Sequence, residues 1–265
     1  MVVEIKKFNV WEENQATGNR LFQYCWAREI AERKGYSLIP DPIIGFPETY
    51  KTLPGKEVFE NEFITGYQRG LVPVLQPEQQ IFDMDMIYDH TGKIIIHGYP
   101  QRYQYYAFNK DNILKWLTIE NEELYDVPDE DDIVMHVRLS DYVSYGWSIP
   151  INYFISILKK EKYKNAYFVT DDSNNPALKE LIDFGCILKD NTRFGPINAS
   201  IADFVFIKKA KKIIISASTF SWWAAFLSEG IVYYPYHGLW SKSPGIGSID
   251  LRVLDDPRYN FVEHV

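Results

Sequence analysis

At 265 residues and 46% hydrophobic side chains, the chain is long enough to bury one large core or two compact ones, which excludes disorder. A net charge of -8 with no basic stripe excludes a nucleic-acid backbone as partner, since such partners require a positive face. No apolar run approaches the roughly 18 residues of a membrane-spanning helix, and Met1 to Val10 carries lysines and a glutamate in place of a leader's apolar region, so a soluble cytoplasmic protein is expected.

In chain order, Val2 to Phe8 reads as a strand, followed by a polar loop and a helical pattern from Leu21 to Lys34 that stops at Gly35. Tyr36 to Ile39 reads as the next strand, which makes the opening a βαβ unit. Pro40 to about Tyr88 is rich in proline and aromatics and shows no sustained period. Ile94 to His97 is a short strand candidate and Lys110 to Leu117 a helix. Glu120 to Asp132 is acidic and contains a proline, which suits an exposed linker, and it divides the chain into lobes at 1–125 and 126–265.

Past that point short β-branched runs alternate with helical patterns, the mark of a parallel sheet. Strands are expected at Ile133 to Arg138, Ala166 to Thr170, Cys186 to Leu188, Lys212 to Ser216 and, last, Ile231 to Tyr234. Helices are expected at Asn152 to Lys160, Pro176 to Phe184, Ser200 to Ala210 and Thr219 to Ser228. The fold class is therefore α/β: two Rossmann-like lobes facing a cleft, the C-terminal one a doubly wound parallel sheet. Ligands of such folds bind at the carboxyl ends of the strands. Cys25 and Cys186 lie far apart in apolar surroundings and read as reduced core residues.

Three groups of residues carry chemistry. His136 and Arg138 share a face by the period of two and stand at a strand's carboxyl edge with Asp141. Arg138 either makes forked contacts to a diphosphate or pairs with Asp141 on the surface. Ser216 to Ser221 joins a strand to a helix and gathers four hydroxyls, which either form an anion site at the helix start or include an ordinary N-cap at Ser218 or Thr219. Asp203, placed early in its helix, either accepts from a guanine or caps the dipole. Asp171-Asp172 and Asp83-Met84-Asp85 carry the carboxylates a divalent ion would need, though the first pair also suits a helix cap. Trp222 and Trp223 read as core. Tyr103, Tyr105 and Tyr106 either stack on an acceptor sugar or pack.

The segment His136 to Tyr142 resembles the His-x-Arg-Arg-Gly-Asp-Tyr motif of alpha-1,2-fucosyltransferases, and Phe168 to Asp172 resembles their Phe-x-Ser-Asp-Asp. Ile214 to Leu227 is similar to the family's Ile-Ile-x-Asn-Ser-Thr-Phe-Ser-Trp-Trp-x-Ala-x-Leu block, with Asp203 where the family has an Asp before it. Gly18 to Tyr24 resembles Gly-Asn-Gln-x-Phe-Gln-Tyr, and Gly98-Tyr99-Pro100-Gln101 resembles Gly-Tyr-x-Gln-Ser.

The resemblance implies a GT-B-like glycosyltransferase that moves fucose from GDP-fucose to a glycan acceptor with inversion, with no cofactor and no metal. It implies Arg138 on the diphosphate, His136 and Asp203 on the nucleoside, the turn Ser218, Thr219, Phe220 and Ser221 on a phosphate, and a Gly18-Asn19 loop on the pyrophosphate from the opposite lobe. Asp141 is the carboxylate best placed to act as general base. Leu139 replaces the second Arg of the motif, Ser140 a Gly, Arg20 a Gln and Ala217 an Asn. These departures leave open another nucleotide sugar, a silent GDP- or carbohydrate-binding protein, and a role for Arg20 in place of the lost Arg.

Overall fold

The computed structural model describes residues 2–5, 17–56, 62–65, 89, 91–96, 100–236 and 250–263. It divides into two compact units, Met1–Glu120 with Ser243–Leu251, and Asn121–Lys242 with Arg252–Val265.

The first unit holds a four-stranded parallel sheet in the order β2-β1-β4-β3, with β1 Val2–Ile5, β2 Ser37–Ile39, β3 Glu62–Thr65 and β4 Lys93–Ile96. Helix α1, Thr17–Lys34, buries Leu21, Phe22, Trp26, Ala27 and Ile30. It ends in a Schellman turn. Gly35 takes φ 63, its N–H bonds to Glu32, and the N–H of Tyr36 reaches back to Ala31 at 2.9 Å. The helix begins before the expected Leu21, so Gly18 and Asn19 lie in its first turn and not in a loop. Helix α2, Lys110–Trp116, buries Ile113 and Trp116.

The second unit is a six-stranded parallel sheet in the order β10-β9-β8-β5-β6-β7. Its strands are β5 Ile133–Val137, β6 Ala166–Thr170, β7 Ile187–Leu188, β8 Lys212–Ile214, β9 Ile231–Pro235 and β10 Tyr259–Val262. The helices are α3 Ser140–Tyr145, α4 Ile151–Leu158, α5 Lys179–Asp183, α6 Gly195–Lys209 and α7 Thr219–Phe226. The chain runs outward from β5 through β6 and β7, then returns to β8 on the other side of β5. The strand order therefore reverses between β5 and β8, and at such a switch point the carboxyl ends open a crevice for ligands.

Every residue of β5 is buried, as a central parallel strand requires. Ile133, Met135 and Val137 point to one core with Phe154 and Leu158 of α4 and Leu181 of α5. Val134 and His136 face the other way by the period of two.

Several sequence expectations need correction. The chain adds an edge strand, β10, beyond the strand expected to be last. Helix α6 starts at Gly195 and not at Ser200, because Pro196 fits a helix's first turn and Gly195 supplies the positive φ of 80 before it. Asp203 consequently stands in mid-helix, where it caps nothing. Pro176 to Phe184 is a 3-10 turn, Pro176–Leu178, running into the short α5.

The acidic stretch from Glu120 is largely exposed, as expected of it, and its carboxylates make ion pairs. Glu122 pairs with Lys208 at 2.7 Å and Lys209 at 3.1 Å, and Asp126 pairs with Lys189 at 2.6 Å and with Arg193. Asp132 is buried and accepts the backbone N–H of Asp129 and the Asn165 side chain. Both cysteines are free and buried, as read from the sequence.

Candidate functional site

The register that pairs Met135 with Ile214 brings the ends of β5 and β8 side by side. Across that junction His136 Nδ1 shares a hydrogen bond with Ser216 Oγ at 2.8 Å. Burial, and secondly the Arg138 charge, push the imidazole down from 6.5 to about 3, so His136 is neutral at physiological pH. Its ring lies 5.6 Å from Phe220, whose ring meets Phe204 edge-on at 5.3 Å.

Arg138 follows at the end of β5. Its guanidinium binds Asp141 at 2.7 Å and Asp171 at 3.0 Å and lies 5.2 Å above the Tyr142 ring. Of the two readings drawn from the sequence, the pairing with Asp141 is present, on a side chain held at the carboxyl edge. Asp171 also accepts the Leu139 backbone N–H at 2.8 Å, so one carboxylate from β6 fixes both the turn and the arginine. Asp172 is engaged by Asn175, which itself caps the following 3-10 turn. Leu139, the residue in place of the motif's second Arg, is buried in the core beside Val137.

The turn from β8 into α7 carries the hydroxyl cluster. Ser218 is the N-cap, yet its side chain makes no capping bond. By helix geometry the N–H groups of Thr219, Phe220 and Ser221 therefore point out of the helix start, where the dipole favours an anion. Ser221 Oγ is turned inward, donating to the carbonyls of Ser218 at 3.2 Å and Ser216 at 3.4 Å, so only its N–H faces outward. Trp222 and Trp223 are fully buried, with Trp222 stacked on Phe226 at 5.0 Å.

Asp203 accepts a hydrogen bond from Asn191 Nδ2 at 2.7 Å. Burial raises its carboxyl from 3.8 to about 6, against the opposing pull of Asn191 and Lys189. Asn191 is buried and its Oδ1 has no partner among the described residues. Sequence reasoning passed over Asn191, Ser216 as the histidine's partner, and Asp171 as a clamp. Only the motif order around Asp171 hinted at the last.

In the first unit, Gln101 donates to Asn19 Oδ1 at 2.8 Å, joining two segments that the family pattern singles out. Arg20 pairs with Asp41 at 2.9 Å and also donates to the Pro42 carbonyl. Tyr105 is buried against Trp26 at 4.4 Å, and Tyr106 is buried with its hydroxyl on the Pro100 carbonyl at 2.7 Å, so both pack. Tyr103 is half-buried. Gly98, Tyr99, Asp83 and Asp85 lie outside the described residues. Among the described residues no three His, Cys, Asp or Glu side chains converge on a metal position, and no helix is long and apolar enough to cross a membrane.

The chain has relatives among known proteins. Residues 91–238 match the model of glycosyl transferase family 11. Over 177 residues the chain is 26% identical to an alpha-1,2-colitosyltransferase of Escherichia coli, and the match spans 60% of this chain and 60% of that relative's length. The fold is similar to that of the fucosyltransferase NodZ from Bradyrhizobium, with a TM-score of 0.50 and 14% identity over 86% of this chain and 91% of that one. A NodZ alpha-1,6-fucosyltransferase crystallised with GDP gives a TM-score of 0.49 at 15% identity, covering 86% and 92%. With a parallel α/β architecture and a family match over more than half its length, the chain belongs to glycosyl transferase family 11.

Proposed function

We propose that the chain transfers fucose from GDP-fucose to a hydroxyl of a glycan acceptor, in alpha-1,2 linkage, with inversion and without a metal ion. One observation carries this reading. A neutral histidine, an arginine and an uncapped helix start meet at the carboxyl ends of β5 and β8, which is what a nucleoside diphosphate needs.

In this reading Arg138 and the N–H groups of Thr219, Phe220 and Ser221 receive the diphosphate. His136 and Asp203 hold the nucleoside, with the Asp203 carboxylate accepting the guanine N1–H and exocyclic amine. The acceptor hydroxyl attacks the anomeric carbon from the face opposite GDP. The new C–O bond forms as the bond to the β-phosphate oxygen breaks, and that oxygen keeps the electron pair. Its growing charge is met by Arg138 and the helix start, the largest contribution expected for such a transfer. The hydroxyl proton passes to Asp141. Gly18, Asn19 and Arg20 take part in donor binding on the strength of the family pattern alone, and loss of GDP affinity in Asn19→Ala tests that assignment.

The inward packing of Leu139 supports this reading against a silent binding protein, because the side chain that departs from the motif faces the core and not Arg138. A second reading, colitose as the transferred sugar, is favoured by the E. coli relative. Turnover of GDP-fucose with a glycan acceptor in EDTA, with the product linkage read by NMR, tests the proposal; activity only with the corresponding colitose donor selects the second reading, and strict dependence on added metal contradicts the first. Asp141→Asn is expected to lower kcat by about 100-fold or more while GDP affinity holds or rises, since Arg138 loses a competing anion. A kcat within a few-fold of wild type would remove Asp141 as base.

A further inference from the structure

Helix α3 buries none of its residues, although it reads Ser-Asp-Tyr-Val-Ser-Tyr and is followed by Gly146 and Trp147. Val143 and Tyr145 are 51% and 61% exposed. Isolated exposed apolar residues are ordinary, but a contiguous aromatic set on a helix with no core face calls for a partner.

The geometry of that set is held by the backbone. Gly146 adopts φ 69 and closes the helix by donating to the Tyr142 and Val143 carbonyls. The Trp147 N–H then reaches back to the Tyr142 carbonyl at 2.9 Å, which folds its indole onto the helix. Trp147 meets Tyr142 edge-on at 5.7 Å and lies 4.8 Å from Tyr145 at a shallow 33°. Leu139 before the helix and Ile149 after it are buried in the core and fix both ends. The result is an aromatic cluster in which the Tyr145 ring is exposed and Tyr142 and Trp147 are half-buried.

Two features tie that face to the reaction. Asp141 stands four residues before Tyr145 and so shares its side of the helix. Tyr142 lies beneath the Arg138 guanidinium. A pyranose has one face of C–H groups and a rim of hydroxyls, so it suits an aromatic platform with a carboxylate at its edge.

We infer that Tyr145 and Trp147 form an acceptor subsite, on which one pyranose ring of the glycan stacks with a hydroxyl directed to Asp141. The inference rests on the reading of Arg138 and Asp141 given above and adds to it the residues that seat the acceptor.

The test uses the full-length protein and three probes, the methyl β-glycosides of galactose, glucose and N-acetylglucosamine. Saturation-transfer NMR reports sugar binding, and calorimetry reports GDP binding on the same samples. Tyr145→Ala is expected to weaken binding of the preferred glycoside by about tenfold, the loss of one stacking contact, with GDP affinity within about twofold of wild type. Tyr145→Phe keeps the stacking face and is expected to restore binding. Trp147→Phe is expected to abolish any change in tryptophan fluorescence caused by the sugar. Sugar affinity unchanged in Tyr145→Ala, or no transfer to any of the three glycosides in the wild type, overturns the subsite whether or not GDP binds. Sugar binding that depends on Tyr145 in a protein that ignores GDP keeps the subsite and overturns the donor reading.

Discussion

Arg138 holds two carboxylates, and they differ in how readily each can let go. Asp171 is fixed from β6 and also grips the Leu139 N–H, whereas Asp141 sits on the exposed face of α3. In the proposed donor site an incoming diphosphate would therefore displace Asp141 and leave Asp171 as the clamp. Asp171→Ala is expected to cost about 1–3 kcal/mol of stability, the usual cost of an abandoned buried donor, and to weaken GDP binding as well. Denaturant titration and calorimetry on the same variant check both effects.

At the same scale, two titrating groups act with opposite sign. Asp203 has its folded value raised to about 6, so its anion is present above that pH and lost below it. If the anion receives guanine, GDP affinity falls as pH drops through about 6, by about tenfold per unit once the acid dominates. Asp203→Asn is expected to bind more weakly and with a flat profile from pH 5 to 7. His136 has its folded value lowered from 6.5 to about 3, so the unfolded chain takes up a proton that the folded one refuses. Its contribution to stability is full above about 6.5 and is lost as pH falls toward 3, whereas burial of Asp203 works the other way between about 6 and 4. Urea midpoints of His136→Gln between pH 7 and 5 are expected to fall less than those of the wild type. An equal fall would contradict a buried neutral imidazole.

At the scale of elements, legibility followed burial. Strands β5 and β6 were plain in the sequence because central parallel strands are continuous apolar runs, and Ala166–Thr170 was placed to the residue. Strand β10, Tyr259–Val262, was missed because an edge strand of four residues with a polar Asn260 carries no such run. The start of α6 was missed although Gly195-Pro196 announced it, and that displaced Asp203 by more than a turn. The acidic stretch hides its ion pairs for a different reason. Its carboxylates find cations far along the chain, at Lys189, Arg193, Lys208 and Lys209, and nothing local shows such partners. Each pair is partly exposed and contributes up to about 1 kcal/mol. Lys208→Ala with Lys209→Ala is therefore expected to speed cleavage after Glu122 and Glu123 by a glutamate-specific protease by about fivefold, with little change in the rate at other sites.

For the molecule as a whole, local pattern gave the βαβ units but not the order β10-β9-β8-β5-β6-β7, which arises from crossovers and pairing between distant segments. That order is what makes a site of the motif residues. His136 and Ser216 are 80 positions apart, and they meet only because the chain returns to β5 from its other side. A protein carrying net charge -8 offers no general attraction to an anion, so the proposed nucleotide site relies on these few local groups. Calorimetric titration with GDP, UDP and CDP in EDTA, on wild type and Arg138→Ala, tests this most directly. The account predicts selective binding of GDP that the substitution abolishes or weakens by at least about tenfold, the loss of a charge-assisted contact. Preference for another nucleotide, or GDP binding indifferent to Arg138, would contradict it.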